Sequence, residues 1–175
     1  MFLSLVQKRR SIRRYLDQPV ESEKIDRLVE AALRSPSSRG FNPWEFVLVT
    51  DSGLLEKLSK AKPHGASFLK NAPLGIVVCA DPEKSDVWIE DASIASIILH
   101  LAAESLDLGS CWIQIRKRMH DQTRTAEQYI RKVLNIPENL NVESIIAIGY
   151  PGEQKLSHPK ESLQYEKVCY DYYGK

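Results

Sequence analysis

The stretch 87–106 constrains the fold more than any other. Read as a helix, its apolar residues Ile94, Ile97, Ile98, Leu99 and Leu101 cover more than one face. A helix with no wide polar side must be buried around most of its circumference. The chain itself can supply part of that cover, and a second subunit is a candidate for the rest.

The remaining elements follow from periodicity and punctuation. Residues 21–35 place Ile25, Leu28, Val29, Ala32 and Leu33 at helical spacing, with Pro19 before them and Ser22 as a candidate N-cap. Residues 44–50 (WEFVLVT) read as a strand, 54–61 as a short helix, and the apolar run 74–80 (LGIVVCA) as a central strand. Gly109 is expected to end the long helix. Strand 111–115, helix 125–134 and strand 142–148 complete the order, and Pro151 and Gly152 break it. The tail 153–175 is polar, has no clear period, and carries Tyr165, Tyr170, Tyr172 and Tyr173. So many aromatics are expected to pack on something, a partner subunit being one candidate. Residues 1–175 thus read as one α/β unit with about four strands.

Composition narrows the function. At 43% hydrophobic the chain can build a core, and its net charge of +1 creates no global field for nucleic acid. Cys79, Cys111 and Cys169 are odd in number and widely spaced, which fits neither a disulfide framework nor a zinc site. The four histidines show no ligand spacing, so no metal site is expected. The N-terminus has its apolar residues before its basic ones, the reverse of a secretory signal, and no apolar run reaches the roughly 18–20 residues of a membrane span. A reducing, cytoplasmic setting is the expectation.

Four segments can carry chemistry. The first, residues 8–15 (KRRSIRRY), holds five cations and a serine within seven residues. Arginine forks suit phosphate oxygens and Ser11 adds a neutral bond; a solvated basic turn or a nucleic-acid patch are the alternatives. The second, 35–44 (SPSSRGFNPW), offers hydroxyls and backbone N–H groups, or is an ordinary connection. The third, 109–114 (GSCWIQ), can set backbone amides and Gln114 against a flat ligand, or is simply core. The fourth, 149–152 (GYPG), lies at a strand end, as a ligand edge or a plain turn. There is no GxGxxG after the first strand and no GxxxxGK[ST] anywhere, so the usual dinucleotide and ATP sites lack their chemistry. No nucleophile–base pair and no carboxylate pair stands out, which directs attention to an organic cofactor.

Taken in order, KRRSIRRY, SPSSRGFNPWEFVLV, NAPLGIVVCA, EDASIASIILHLAAESLDLGSCWI and IIAIGYPGE resemble the nitroreductase family of flavoproteins. The resemblance spans almost the whole chain. It implies an α+β sandwich with a mixed, mainly antiparallel sheet flanked by helices, two interlocked chains, and FMN at their interface. It further implies that Arg9, Arg10, Ser11 and Arg13 hold the FMN phosphate and pyrimidine edge, with Arg13 the candidate for steadying charge on the reduced ring. Pro36, Ser37 and Ser38 would reach the flavin from the partner chain. Trp112, Ile113 and Gln114 would pass the ring, and Lys155 and His158 would complete the phosphate site. The implied activity is ping-pong hydride transfer from NADH or NADPH through flavin N5 to a nitro compound, quinone or similar acceptor, with no side chain acting as an essential catalyst. Other flavin chemistry on the same fold (reductive dehalogenation, flavin breakdown) and non-catalytic flavin binding are the alternatives. The chain departs from the family pattern in Arg39-Gly40-Phe41-Asn42, which lacks a glutamine, in a tail reading KLSHPK without the late arginine, and in the absence of longer insertions.

Overall fold

The computed structural model describes residues 2–174; Met1 and Lys175, at the ends of the expected apolar N-terminus and aromatic tail, lie outside them. Four strands form one sheet in the order β1-β2-β4-β3: β1 (Trp44–Val49), β2 (Leu74–Ala80), β3 (Gly109–Gln114) and β4 (Asn141–Gly149). β2 is central, as its unbroken apolar run implies. All three strand pairings are antiparallel. The mixed character expected of the sheet therefore reduces, among the described residues, to a single parallel bridge between Ser11 and Ser110.

Alternation along the strands divides the interior into two layers. On β4, Ile145 and Ala147 face one side and Ile146 and Ile148 the other. The first side is covered by α3 (Ser52–Ser59) and α5 (Ala126–Leu134), through Leu55, Leu58 and Ile130. The second is covered by α2 (Ser22–Leu33) and α4 (Trp88–Ser105), through Leu28, Ala32 and Leu99. A sheet with a helical layer on each face is an α+β sandwich.

Helix ends show where local chemistry decides. Asp51 caps α3 by accepting from Leu54 N at 2.8 Å, so this helix starts earlier than its apolar residues suggest. Thr125 and Gln128 form a reciprocal capping box that opens α5. Two expectations change. Ser22 is the first residue of α2 rather than its cap. The cap position is Glu21, whose carboxylate instead accepts from the Tyr150 hydroxyl at 2.8 Å. Gly109 does not end α4. Asp107 takes the left-handed turn (φ 59°) and Leu108 N bonds back to Ala103 O, which returns Leu108 to the core two residues sooner. One helix had no legible period: α1 (Phe2–Lys8) is only seven residues long and buries none of them.

α4 buries one broad face, Ala92, Ala95, Leu99 and Ala103 among its apolar members. Its opposite stripe stays open, with Ile94 37% and Ile97 42% exposed and Ile98 and Leu101 half-buried. α1 packs beside α4 and adds the exposed Phe2, Leu3 and Val6. The tail holds two short 3-10 turns and exposes Leu156, Leu163, Tyr165, Val168, Tyr170 and Tyr173.

The N-terminal segment crosses the sheet end at very close range. At Gly149 an added Cβ would lie 2.5 Å from Pro73 Cδ and 3.0 Å from Tyr15 Cδ1. Both neighbours are ring atoms that cannot swing away. Gly149→Ala is therefore expected to destabilise the protein by about 1–3 kcal/mol through overpacking. Urea unfolding of the two proteins checks this, and an unchanged midpoint would show that the contact is slack.

Candidate functional site

The basic segment leaves α1 at Lys8 and runs along the outer edge of β3. Ile12 N donates to Ser110 O at 2.9 Å and Ser11 bridges Ser110. It then turns onto the exit of β4, where Leu16 N donates to Tyr150 O and Gly152 N to Arg14 O. Ile12 lies flat on Gly109, whose Cβ would meet it at 2.9 Å.

This path gathers part of the expected residues at the β3 edge. Burial pushes the Cys111 thiol up, opposed by Arg13, a hydrogen bond from Ser11, Lys155 and Lys62. Lys155 arrives from 144 positions away and donates to the Ser11 carbonyl at 2.6 Å. Arg13 sits over the Phe68 ring at 5.8 Å. Arg9 lies near His100, a buried imidazole held down to about 4 by its burial and then by the Arg9 charge. His100 Nδ1 shares a 2.7 Å hydrogen bond with the Ser110 hydroxyl.

Other expected residues are placed differently. The Arg10 guanidinium bonds the Leu156 carbonyl and lines a cleft of about 290 Å³ that Lys8, Glu104, Glu153 and Lys155 also line. It therefore holds the tail. His158 is exposed, and its side chain makes no hydrogen bond or ion pair among the described residues. Ile113 is fully buried in the α3–α5 layer, so its side chain serves packing. Trp112 and Gln114 point to the other face, where Trp112 Nε1 donates to Gln114 Oε1 at 2.9 Å. Lys62 Nζ donates to the Gln114 carbonyl at 2.9 Å, and burial lowers this ammonium below its ordinary value.

The loop of Pro36, Ser37 and Ser38 makes no hydrogen bond to these groups among the described residues. Ser37 Oγ donates to Asn42 Oδ1 and accepts from Asn42 N, holding Asn42 in the left-handed region (φ 47°). Ser38 N donates to the buried Asp91 carboxylate at 2.8 Å, which pins the loop to the first turn of α4.

Sequence reasoning missed Asp91, Lys62, Glu143 and Glu153. Glu153 is the clearest case. Its carboxylate accepts from Arg13 N at 2.6 Å and lies 3.2 Å from Lys155 Nζ. It ties the two cationic segments together, and only its position after the GYPG turn hinted at this.

The fold thus defines a helix-flanked antiparallel sandwich with a cation-lined site at its β3 edge. Comparisons agree with that class. A profile of the Nitroreductase family matches residues 6–63 and 59–150. An FMN-dependent nitroreductase of Clostridium difficile superposes with a TM-score of 0.96 at 49% identity, over 98% of this chain and 99% of that one. A provisionally named NADH dehydrogenase/NAD(P)H nitroreductase of Archaeoglobus fulgidus is 38% identical over 157 residues, 87% of each chain. A protein of the same provisional name from Methanothermobacter thermautotrophicus is 38% identical over 154 residues, 86% of this chain and 78% of its own. The chain belongs to the nitroreductase family.

The Arg13 amide holds the Glu153 carboxyl below its ordinary value of 4.5, with Lys155 adding to the effect. A group with a depressed folded-state pKa stabilises the fold above its unfolded value and loses that contribution as pH falls through the folded value. Glu153→Gln is therefore expected to melt earlier than wild type at pH 7, the gap closing as pH drops below about 4.5. Thermal melts across that range test the point; a gap independent of pH would remove Glu153 from this role.

Proposed function

We propose that two copies of this chain share FMN and use it to pass hydride from NADH or NADPH to a nitro compound, quinone or similar small acceptor. The observation that carries this reading is the convergence of Ser11, Arg13 and Lys155, tied by Glu153, at the β3 edge, with Lys62 on the Gln114 carbonyl of that strand. The donor set fits a phosphate monoester: a guanidinium fork, two ammonium groups and a hydroxyl, with Glu153 the carboxylate among them. FMN, when bound, supplies the ring that takes hydride from the nicotinamide and yields it to the acceptor in turn.

The chain's own residues bind and orient. Arg9, Ser11, Arg13 and Lys155 hold the phosphate and the pyrimidine edge, and Arg13 steadies negative charge there. The backbone of Trp112, Ile113 and Gln114 lies along the ring. Arg10 lines the same cleft as Lys155 and Glu153 while bonding the tail at Leu156, and His158 stands outside this set. Pro36, Ser37 and Ser38 reach the flavin of a second copy. That reading is supported by Asp91, which fixes the loop one turn before the open stripe Ile94, Ile97, Ile98 and Leu101. A copy seated on this stripe meets the loop. The exposed apolar residues of α1 and of the tail 153–175 extend the same surface, and stable obligate interfaces bury about 2,000 Å² or more. Three unpaired cysteines suit the reducing cytoplasm, and no helix among the described residues is long and apolar enough to cross a membrane.

Heat release and chromatography of the bound flavin, bleaching by NADH or NADPH without oxygen, and reoxidation by a nitroaromatic or quinone test the activity directly. Recovery of FAD alone, or no bleaching by either nicotinamide, counts against it. Arg13→Ala and Lys155→Ala are each expected to weaken FMN binding roughly 10- to 150-fold, the equivalent of about 1.5–3 kcal/mol for a charge-assisted bond. Ser11→Ala should cost less, and His158→Ala almost nothing. Equal affinity in all four variants would reduce the cluster to a solvated basic turn.

The dimer has its own measurement. Ile97→Glu, and separately removal of residues from 153 onward, should lower dimer stability and flavin retention together in sedimentation runs followed at the flavin absorbance. A wild-type monomer that keeps its FMN would defeat the shared site.

A further inference from the structure

β4 carries one irregularity. Val78 pairs with Ser144 and Cys79 with Val142, so Glu143 is the extra residue of a bulge. The slip changes which way neighbouring residues point. Val142 joins the layer of Ile145 and Ala147, whereas Ser144 faces α4 and shares a 2.9 Å hydrogen bond with Ser96. Glu143, between them, is turned onto the end of β3.

Its grip on β3 is threefold. The backbone amides of Ile115 and Arg116 both donate to the Glu143 carbonyl at 3.1 Å. Gln114 Nε2 donates to Glu143 Oε1 at 3.1 Å. Gln114 Oε1 in turn accepts from Trp112 Nε1 at 2.9 Å, so carboxyl, carboxamide and indole form a chain. Gln114 has no freedom to turn its amide over without breaking both ends.

The carboxyl is costly where it stands. Glu143 is 4% exposed, and its Oε2 makes no hydrogen bond among the described residues; the Arg116 guanidinium lies 4.0 Å away. Burial pushes its pKa up, Gln114 and Arg116 oppose that, and the charges of Glu127 on α5 and Glu90 on α4 add to it. An apolar side chain of similar size would pack here without the desolvation penalty. A half-satisfied buried carboxyl calls for a reason other than packing.

We propose that Glu143 is a positioning residue of the flavin site: it fixes the Gln114 carboxamide, and through it the Trp112 indole, so that the edge 112–114 meets the flavin ring in one conformation. The proposal rests on the FMN reading above. It assigns no proton transfer to Glu143.

The test titrates flavin-free wild type, Glu143→Gln, Glu143→Leu and Gln114→Leu with FMN, and records affinity, the visible spectrum of the bound flavin and tryptophan emission. Glu143→Gln keeps an acceptor oxygen for Gln114 and is expected to bind within about twofold of wild type with an unchanged spectrum. Glu143→Leu leaves Gln114 Nε2 only its longer bonds to the Arg116 and Glu143 carbonyls, at 3.3 and 3.5 Å, and should bind roughly tenfold more weakly, with shifted flavin and tryptophan bands. Gln114→Leu should show the same loss, and the double variant no more than either alone, because one chain of contacts is cut. Gln114→Leu carries the test if Glu143→Leu does not fold. Wild-type affinity and spectrum in both leucine variants, or a loss in Glu143→Gln equal to that in Glu143→Leu, overturn the proposal while leaving the FMN reading intact. Failure of wild type to take up FMN overturns both.

Discussion

Everything at the candidate site depends on how closely residues 9–15 lie against the sheet. Two glycines make the approach possible, since side chains at Gly109 and Gly149 would collide with Ile12 and with Pro73 and Tyr15. Tyr15 then closes the contact. Its phenol donates to Ile12 O at 2.7 Å, with Ala147 O at 3.2 Å, and burial keeps it protonated. The segment also covers an edge of β3 that would otherwise present unpaired backbone groups. Packing and site geometry are thus one interaction. Moving Ile12 off Gly109 would carry Ser11 and Arg13 away from Lys155.

The sequence was most informative where one local rule dominated. Unbroken apolar runs located β2 and β4, and alternation did the rest, so the strands and the four longer helices were legible within a few residues. Contacts made across long separations were not. Nothing local in residues 8–14 tells Arg10 from Arg13; they part only because Ile12 must face Gly109 and the tail carbonyl of Leu156 stands on the Arg10 side. Lys155 and His158 looked equivalent in a tail without period, and long-range contacts distinguish them: Lys155 is held by Glu153 and by the Ser11 carbonyl. The bulge at Glu143 was equally hidden, because a one-residue slip leaves the apolar pattern of 142–148 almost unchanged.

The same limit explains the sheet. Antiparallel neighbours usually follow short hairpins, yet β2 and β4 pair with α4, β3 and α5 between them in sequence. Periodicity reports that a segment is a strand; its partner is set by which helix fills each face. Here α2 and α4 fill one face and α3 and α5 the other, and the order β1-β2-β4-β3 follows from that division.

α4 connects these constraints. Its apolar residues obscured three buried polar ones, Asp91, Ser96 and His100, each of which meets a different part of the site. Asp91 takes the Ser38 amide, Ser96 meets Ser144 beside the bulge, and His100 bonds the Ser110 hydroxyl under the basic segment. Buried polar groups tolerate little misalignment, since an unpaired one costs about 1–3 kcal/mol. Three of them along one rigid helix therefore fix the spacing between the loop, the β4 bulge and the N-terminal segment. His100 is suited to this by remaining neutral: burial and Arg9 keep it uncharged at physiological pH, so it meets Ser110 as a neutral ring without adding a cation beneath the cluster. The inner face of α4 thus aligns the site, while its outer stripe of Ile94, Ile97, Ile98 and Leu101 stays free for another surface. One helix with two unlike faces ties the geometry of the site to whatever seats on that stripe.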